Sequence, residues 1–277
     1  MLLVTGATGN IGSPLVRELH AAGAGPLRAL TRDATRSSFP TGVEPAEADV
    51  ADQVSLRRVL REVRSMFLVS GVGPDADIID TARRAGVEHV VLVSSITVRT
   101  HPHLAPAAQK SAIEKELQAS GMAWTILRPT QFASNSLLWA DAIREHRPVR
   151  VPYADIGLPT IHPADIASVA RVALTEPGHR GRTYALTGPQ LVTARDQVAT
   201  LAAALRRDID FAEISRAEAR AEMLPFFGAD AVDAVLDVTG GDVNDELLRV
   251  RDTVSAVTGA PARPFRHWAE ENAHTFR

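Results

Sequence analysis

Seven residues near the N-terminus, Gly6-Ala7-Thr8-Gly9-Asn10-Ile11-Gly12, constrain the fold more than any other part of the chain. They follow the apolar run Leu2-Leu3-Val4, which reads as a buried strand. They precede Ile11, Leu15, Leu19 and Ala22, which recur at helical spacing until Gly23 breaks the pattern. Glycines between a strand and a helix let the backbone come close to a bound anion, with N–H groups and the positive end of the helix dipole directed at it. A tight strand-to-helix turn is the other use of such glycines. Strand, loop and helix in this order at the head of the chain favour the anion cradle, and a dinucleotide pyrophosphate is the anion that suits it. The predicted cradle residues are Gly6, Thr8, Gly9, Asn10, Ile11 and Gly12. Their spacing is GxxGxxG and not the GxGxxG of dinucleotide-binding dehydrogenases in general.

The same alternation continues for two-thirds of the chain, which predicts a parallel sheet covered by helices. Leu27–Thr31, Met66–Val69, Val87–Val93, Ala123–Leu127 and Thr183–Leu186 read as strands. Between them, Asp52 caps a helix carrying Leu56, Val59 and Leu60. Ile78–Ala85 and Ala107–Ala119 read as further helices, and Pro163 opens one that runs to Leu174. After Gly188 the texture becomes mostly helical. Thr193 with Asp196, and Ser215 with Glu218, have the spacing of capping boxes; Asp245–Val257 reads as one amphipathic helix and Ile209–Ile214 as a lone strand. The predicted fold is α/β, a Rossmann-type doubly wound parallel sheet over residues 1–187, with residues 188–277 as a smaller, mostly helical substrate lobe packed on it. No Pro/Gly/Ser linker separates the two.

Composition removes several classes of function. The 277 residues include no cysteine, so there is no disulfide framework, thiolate metal site or cysteine nucleophile, and the scattered histidines show no metal-ligand spacing. A formal net charge of −3 without a basic cluster argues against nucleic acid. The N-terminus lacks the pattern of a signal peptide and no apolar run approaches the roughly 20 residues of a membrane span, so a soluble, cytoplasmic protein is expected. Oligomeric state is not legible.

At the end of the second strand, where an acidic residue would hold a ribose 2′-hydroxyl, the sequence reads Thr31-Arg32, with Arg36 four residues on. A guanidinium suits a 2′-phosphate, which favours NADP(H) over NAD(H); an ordinary solvated arginine is the alternative. Lysine supplies a second clue. Of the 30 basic residues only Lys110 and Lys115 are lysines. At about 100° per residue, Lys110 shares a helical stripe with Ile113 and Leu117, while Lys115 falls on the polar side. An inward ammonium is costly unless it is paired or lies close to a phosphate or ribose. A lysine snorkelling at the helix margin is the competing reading.

With these residues in place the chain resembles the NmrA-like branch of the atypical short-chain dehydrogenases, which includes NADPH-dependent quinone oxidoreductases and is related to isoflavone reductase-like enzymes. The resemblance is carried by Gly6–Gly12, Leu30-Thr31-Arg32-Asp33, Val93-Ser94-Ser95, Lys110 with Ile113-Glu114, and Ser120-Gly121 through Thr125–Pro129 to Phe132. Asp165-Ile166-Ala167, Gly181–Gly188, Thr258-Gly259 and Pro264-Phe265 extend it over nearly the whole chain. It implies an NADPH-dependent oxidoreductase that passes hydride to a small organic acceptor, such as a quinone or a conjugated or aromatic carbonyl compound. It also implies cofactor contacts at Asp49 and Val50, at Ser70 and Gly71, at Ser94 and Lys110, and at Pro129 and Phe132 beside the nicotinamide, with residues 132–160 contributing to the substrate cleft. Asp49 has the alternative of capping its own turn, and Phe132 that of core packing.

The superfamily polarises its carbonyl with a serine, a tyrosine and a lysine four residues after the tyrosine. Ser95 and Lys110 match the serine and the lysine, but Pro106 stands where the tyrosine would be. The catalytic residues implied are therefore Lys110, Ser95 and, from the segment 151–163, Tyr153. His162 reads better as the cap before Pro163, and Tyr184 as core. The missing tyrosine keeps open a second function, a non-catalytic NAD(P)-sensing regulator of NmrA type. It weighs against an epimerase or dehydratase of nucleotide sugars.

Overall fold

Short runs of β-branched and leucine residues, each ended by a glycine or a polar turn, build a central sheet in the computed structural model, which describes residues 1–35, 37–71 and 73–277. Arg36, one of the residues read from the sequence, lies outside the described residues. The strands are β1 (Leu2–Val4), β2 (Leu27–Thr31), β3 (Val43–Glu47), β4 (Ser65–Val69), β5 (His89–Val93), β6 (Ala123–Pro129), β7 (Val149–Val151), β8 (Arg182–Leu186) and β9 (Phe211–Glu213). Seven of them form a sheet in the order β3-β2-β1-β4-β5-β6-β8, parallel throughout, and β7 pairs with β9 in a separate parallel ladder. This is the α/β, doubly wound Rossmann-type arrangement expected. The order reverses between β1 and β4, so a crevice opens beyond their carboxyl ends.

Helices cover both faces because successive strand residues point to opposite sides. Leu2 and Val4 pack with Leu15 and Leu19 of α1 (Gly12–Ala21), while Leu3 packs on the other face with Leu56 of α2 (Gln53–Val59) and Ile78 of α3 (Asp75–Arg84). After the single turn α4 (Thr97–Thr100), helix α5 (Ala105–Ala119) adds Leu117 to the second face. Beyond α6 (Ala140–Arg144), α7 (Pro163–Thr175) lies beside α1 and adds Ile166, Val169 and Ala170 to the first. Burial of each such Leu, Ile or Val contributes about 1.5–3 kcal/mol.

The remaining helices are α8 (Ala194–Leu205), α9 (Arg216–Met223), α10 (Ala229–Leu236), α11 (Asp245–Leu248), α12 (Thr253–Thr258) and α13 (Phe265–Asn272). Both capping boxes form: Thr193 and Asp196 close the start of α8, Ser215 and Glu218 that of α9. Trp268 and Phe265 on α13 join Leu201 of α8 with Ile143 and Val149 in a core of their own. The single helix expected at Asp245–Val257 is instead two, α11 and α12. The Thr187 hydroxyl at the end of β8 exchanges hydrogen bonds with both the N–H (2.9 Å) and the carbonyl (3.2 Å) of Arg251, pinning the backbone between them to the sheet. The strand expected at Ile209–Ile214 is only Phe211–Glu213, the length of its partner β7.

Candidate active site

The loop after β1 has the geometry its glycines require. Gly6 has φ of +59°, a left-handed conformation that disfavours a side chain, and its carbonyl accepts the Gly9 N–H at 2.9 Å. A Cβ at Gly12 would lie 2.1 Å from the Gly6 carbonyl oxygen, so the first turn of α1 closes against the loop only because position 12 is glycine. Thr8, Gly9 and Asn10 are exposed, Ile11 is buried, and no acidic side chain or side-chain cap occupies the start of α1.

The other expected contacts gather along the same sheet edge, because each follows a strand that ends there. At the end of β2 and β3, Arg32 and Asp49 line an open groove of about 380 Å³ together with Glu47 and Arg58. Arg58 donates to the Glu47 carbonyl at 3.1 Å, whereas Arg32 has no hydrogen-bond or ion-pair partner among the described residues. Asp49 caps its own turn by accepting the Ala51 N–H at 2.9 Å, and the adjoining Val50 packs against the α2 and α3 side of the sheet. Ser70 and Gly71 end β4, Ser94 and Ser95 end β5, and Pro129 ends β6, its carbonyl accepting the Ile96 N–H at 3.0 Å.

Helix α5 brings Lys110 to this edge. Lys110 is half-buried and Lys115 exposed, as their helical spacing requires. The Lys110 ammonium donates to Ser70 Oγ at 3.4 Å; the Ser70 hydroxyl in turn donates to Asp75 Oδ2 at 2.9 Å, and Asp75 also accepts the Gly71 N–H. Because the Ser70 proton is directed to Asp75, the Ser70 lone pairs face the ammonium. Burial lowers the Lys110 pKa from its ordinary value, and the charges of Asp75 and Glu114 oppose that shift. Glu114, one turn on, is buried and held bidentately by Arg128 of β6, which fixes α5 to the sheet. Asp75 was missed by sequence reading. Its only local signature is an acidic residue in the first turn of a helix, common to many helices.

Ser95 and Phe132 line a second cavity, about 240 Å³, beneath α10 and α11. The Ser95 hydroxyl accepts from Thr97 N at 3.2 Å and from Thr97 Oγ1 at 2.9 Å, so it caps the turn into α4 and still has its own proton to give. Tyr153 is placed elsewhere: its hydroxyl accepts from Arg216 at 3.3 Å, its ring covers Gly240, and it does not line this cavity. Its φ of +56° holds it in that direction. His162 caps α7, its Nδ1 accepting the Ala164 N–H at 3.0 Å, and burial lowers its pKa to about 4. Tyr184 packs at the edge of the core and bonds His179. Phe226 and Phe227 are exposed and lie outside the cavity.

A dinucleotide fits these residues on two observations. The Gly6–Gly12 backbone is open on the ligand side, and the buried Ser94 hydroxyl has no partner among the described residues, as expected of a group whose partner is a bound ligand. Fold and site together define a dinucleotide-dependent oxidoreductase. The chain matches the model of the NAD(P)H-binding family over residues 6–177 and belongs to that family, within which it is an NmrA-like atypical reductase. It is 38% identical to the (4-alkanoyl-5-oxo-2,5-dihydrofuran-3-yl)methyl phosphate reductase of Streptomyces griseus, over all of this chain and 99% of the relative. It is 36% identical to the NAD(P)H azoreductase of Xenophilus azovorans, with the same coverage. Among solved structures, the quinone oxidoreductase QOR2 of Escherichia coli in complex with NADPH superposes with a TM-score of 0.81 at 26% identity, over the whole of both chains. The protein is thus an NAD(P)H-dependent oxidoreductase. No helix among the described residues is long and apolar enough to cross a membrane.

Proposed function

We propose that the protein uses NADPH in preference to NADH to reduce a small conjugated carbonyl compound or quinone bound under α10 and α11. The observation that carries this reading is the position of the apolar cavity at Ser95 and Phe132, on the sheet edge that also bears the glycine loop and the Lys110–Ser70 pair. The relatives' names support the acceptor class, since they cover quinones, azo compounds and an acyl-substituted unsaturated lactone.

When bound, the coenzyme supplies hydride to the acceptor. The loop Gly6–Gly12 binds pyrophosphate through backbone N–H groups, and Arg32, without a partner among the described residues, pairs with the 2′-phosphate. Lys110, steered by Ser70, donates hydrogen bonds to the nicotinamide ribose; Ser94 supplies its unpartnered hydroxyl nearby. Pro129 and Phe132 wall the ring, Phe132 while also packing on the core. The free Ser95 proton polarises the acceptor oxygen, taking over part of what the absent tyrosine would do at Pro106. A quinone or enone is electrophilic enough to accept hydride without a strong acid, so a hydroxyl donor suffices. Tyr153, engaged by Arg216, acts in this reading only by holding the segment that borders the cavity.

Steady-state rates with both coenzymes test the assignment. Arg32→Ala is expected to lower the ratio of kcat/KM for NADPH over NADH by about tenfold or more, corresponding to the loss of one charge-assisted phosphate contact. An unchanged ratio would overturn the coenzyme preference.

A further inference from the structure

The cavity under α10 and α11 is lined by residues from four places: the turn after β5, the segment after β6, Leu158 and Pro159 ahead of α7, and the C-terminal helices. Its polar side chains divide into two groups. The Thr97 hydroxyl is committed to Ser95 Oγ at 2.9 Å, the Thr130 hydroxyl to the Pro159 carbonyl at 2.6 Å and the Thr239 hydroxyl to the Val235 carbonyl at 2.8 Å, so none of the three has a proton left for a ligand. The side-chain amides of Gln131 and Asn135 make no hydrogen bond with any described residue, and the Ser95 hydroxyl accepts two bonds while its own proton is uncommitted. Three neutral donors therefore converge on a space otherwise bounded by Phe132, Val238 and Leu247.

Charge is arranged in the opposite sense. None of the described residues lining the cavity is ionisable, and Arg249 and Arg251, which follow α11, are both taken up by Glu246. A phosphate or carboxylate entering such a site would lose its hydration and find no cation among the lining residues, which disfavours its binding. A neutral carbonyl oxygen loses little, because one amide or hydroxyl replaces its water. We infer that the acceptor is an uncharged carbonyl compound carrying more than one oxygen, read by Gln131, Asn135 and Ser95, and that the cavity discriminates against anionic acceptors. This rests on the oxidoreductase reading above and specifies its substrate class. It separates this chain from the Streptomyces griseus relative, whose named substrate is a phosphate ester.

The test compares a neutral para-quinone with the same quinone bearing a carboxylate arm, and NADPH affinity is measured on each variant as a check of folding. The neutral quinone is expected to have a kcat/KM about tenfold or more above that of the acid. Gln131→Leu and Asn135→Leu should each raise KM for the neutral quinone about three- to tenfold with NADPH affinity unchanged. Val238→Arg should shift the ratio toward the acid by about tenfold. Equal efficiency with both quinones, or wild-type KM in both leucine variants, would overturn the inference. NADPH binding without reduction of either quinone would overturn the proposed function itself, and the inference with it.

Discussion

Lys110 illustrates how much a single side chain can disclose. Its inward direction is legible from spacing with Ile113 and Leu117, because a helix repeats every 3.6 residues whatever surrounds it. Its electrostatic partner was not legible, because Asp75 reaches it through Ser70 across a turn that only the tertiary fold closes. That carboxylate matters for charge. Burial depresses the Lys110 pKa, and removing Asp75 removes a negative charge that opposes the depression, so the ammonium should be lost at lower pH. In Asp75→Asn the basic limb of the kcat/KM profile is therefore expected to move to lower pH, while the acidic limb stays in place. Lys110→Ala should abolish that limb and lower kcat/KM by about 10- to 100-fold, corresponding to the loss of a charge-assisted hydrogen bond to the coenzyme ribose. A profile unmoved by Asp75→Asn would separate the carboxylate from the lysine. Ser95 shows the limit of reading residue by residue: its capping bond to Thr97 and its place in the cavity coexist, and sequence alone could offer them only as rivals.

Elements were most legible where the determining interactions are local. The caps at Asp52, Thr193 and Ser215 bond within three residues of themselves, so their spacing in the sequence carries the whole signal. The division of Asp245–Val257 into α11 and α12 was invisible for the converse reason: Thr187, far away in the chain, captures the Arg251 backbone. Strand order, too, was readable only as a class, while the pairing of β7 with β9 joins segments about 60 residues apart, which local spacing does not encode. The placement of α5 rests on another long-range contact, the Glu114–Arg128 pair. With their side chains 4% and 22% exposed, these charges are compensated mainly by each other. Arg128→Leu should therefore destabilise the protein by about 3–5 kcal/mol in a urea titration, by leaving a buried carboxylate unpaired. The double variant Glu114→Leu with Arg128→Leu should recover most of that loss, which a purely steric defect at position 128 would not allow.

At the scale of the whole molecule, a seven-stranded parallel sheet collects loops from β1 to β6 on one edge, and the C-terminal helices roof that edge. The sequence disclosed the edge because a parallel sheet places the carboxyl end of each strand on the same side, so residues just after each strand become neighbours. It could not disclose the cavity, whose lining comes from the ends of β5 and β6, the segment ahead of α7 and the C-terminal helices at once. In the proposed reading the same assembly lets a chain with proline at position 106 remain a reductase: the cavity has a hydroxyl donor at Ser95, and Lys110 lies on the sheet edge that bears the glycine loop. The central claim is that hydride passes from NADPH to an acceptor in this cavity. Mass spectrometry of the product formed with NADPH deuterated at the transferring position of the nicotinamide C4 tests it most directly. The account predicts a reduced quinone or enone product, formed in equal amount to the coenzyme consumed, with the enone product retaining one deuterium on carbon. NADPH bound tightly but not consumed with any acceptor, or an enone product without deuterium, would contradict it and favour a protein that senses the dinucleotide.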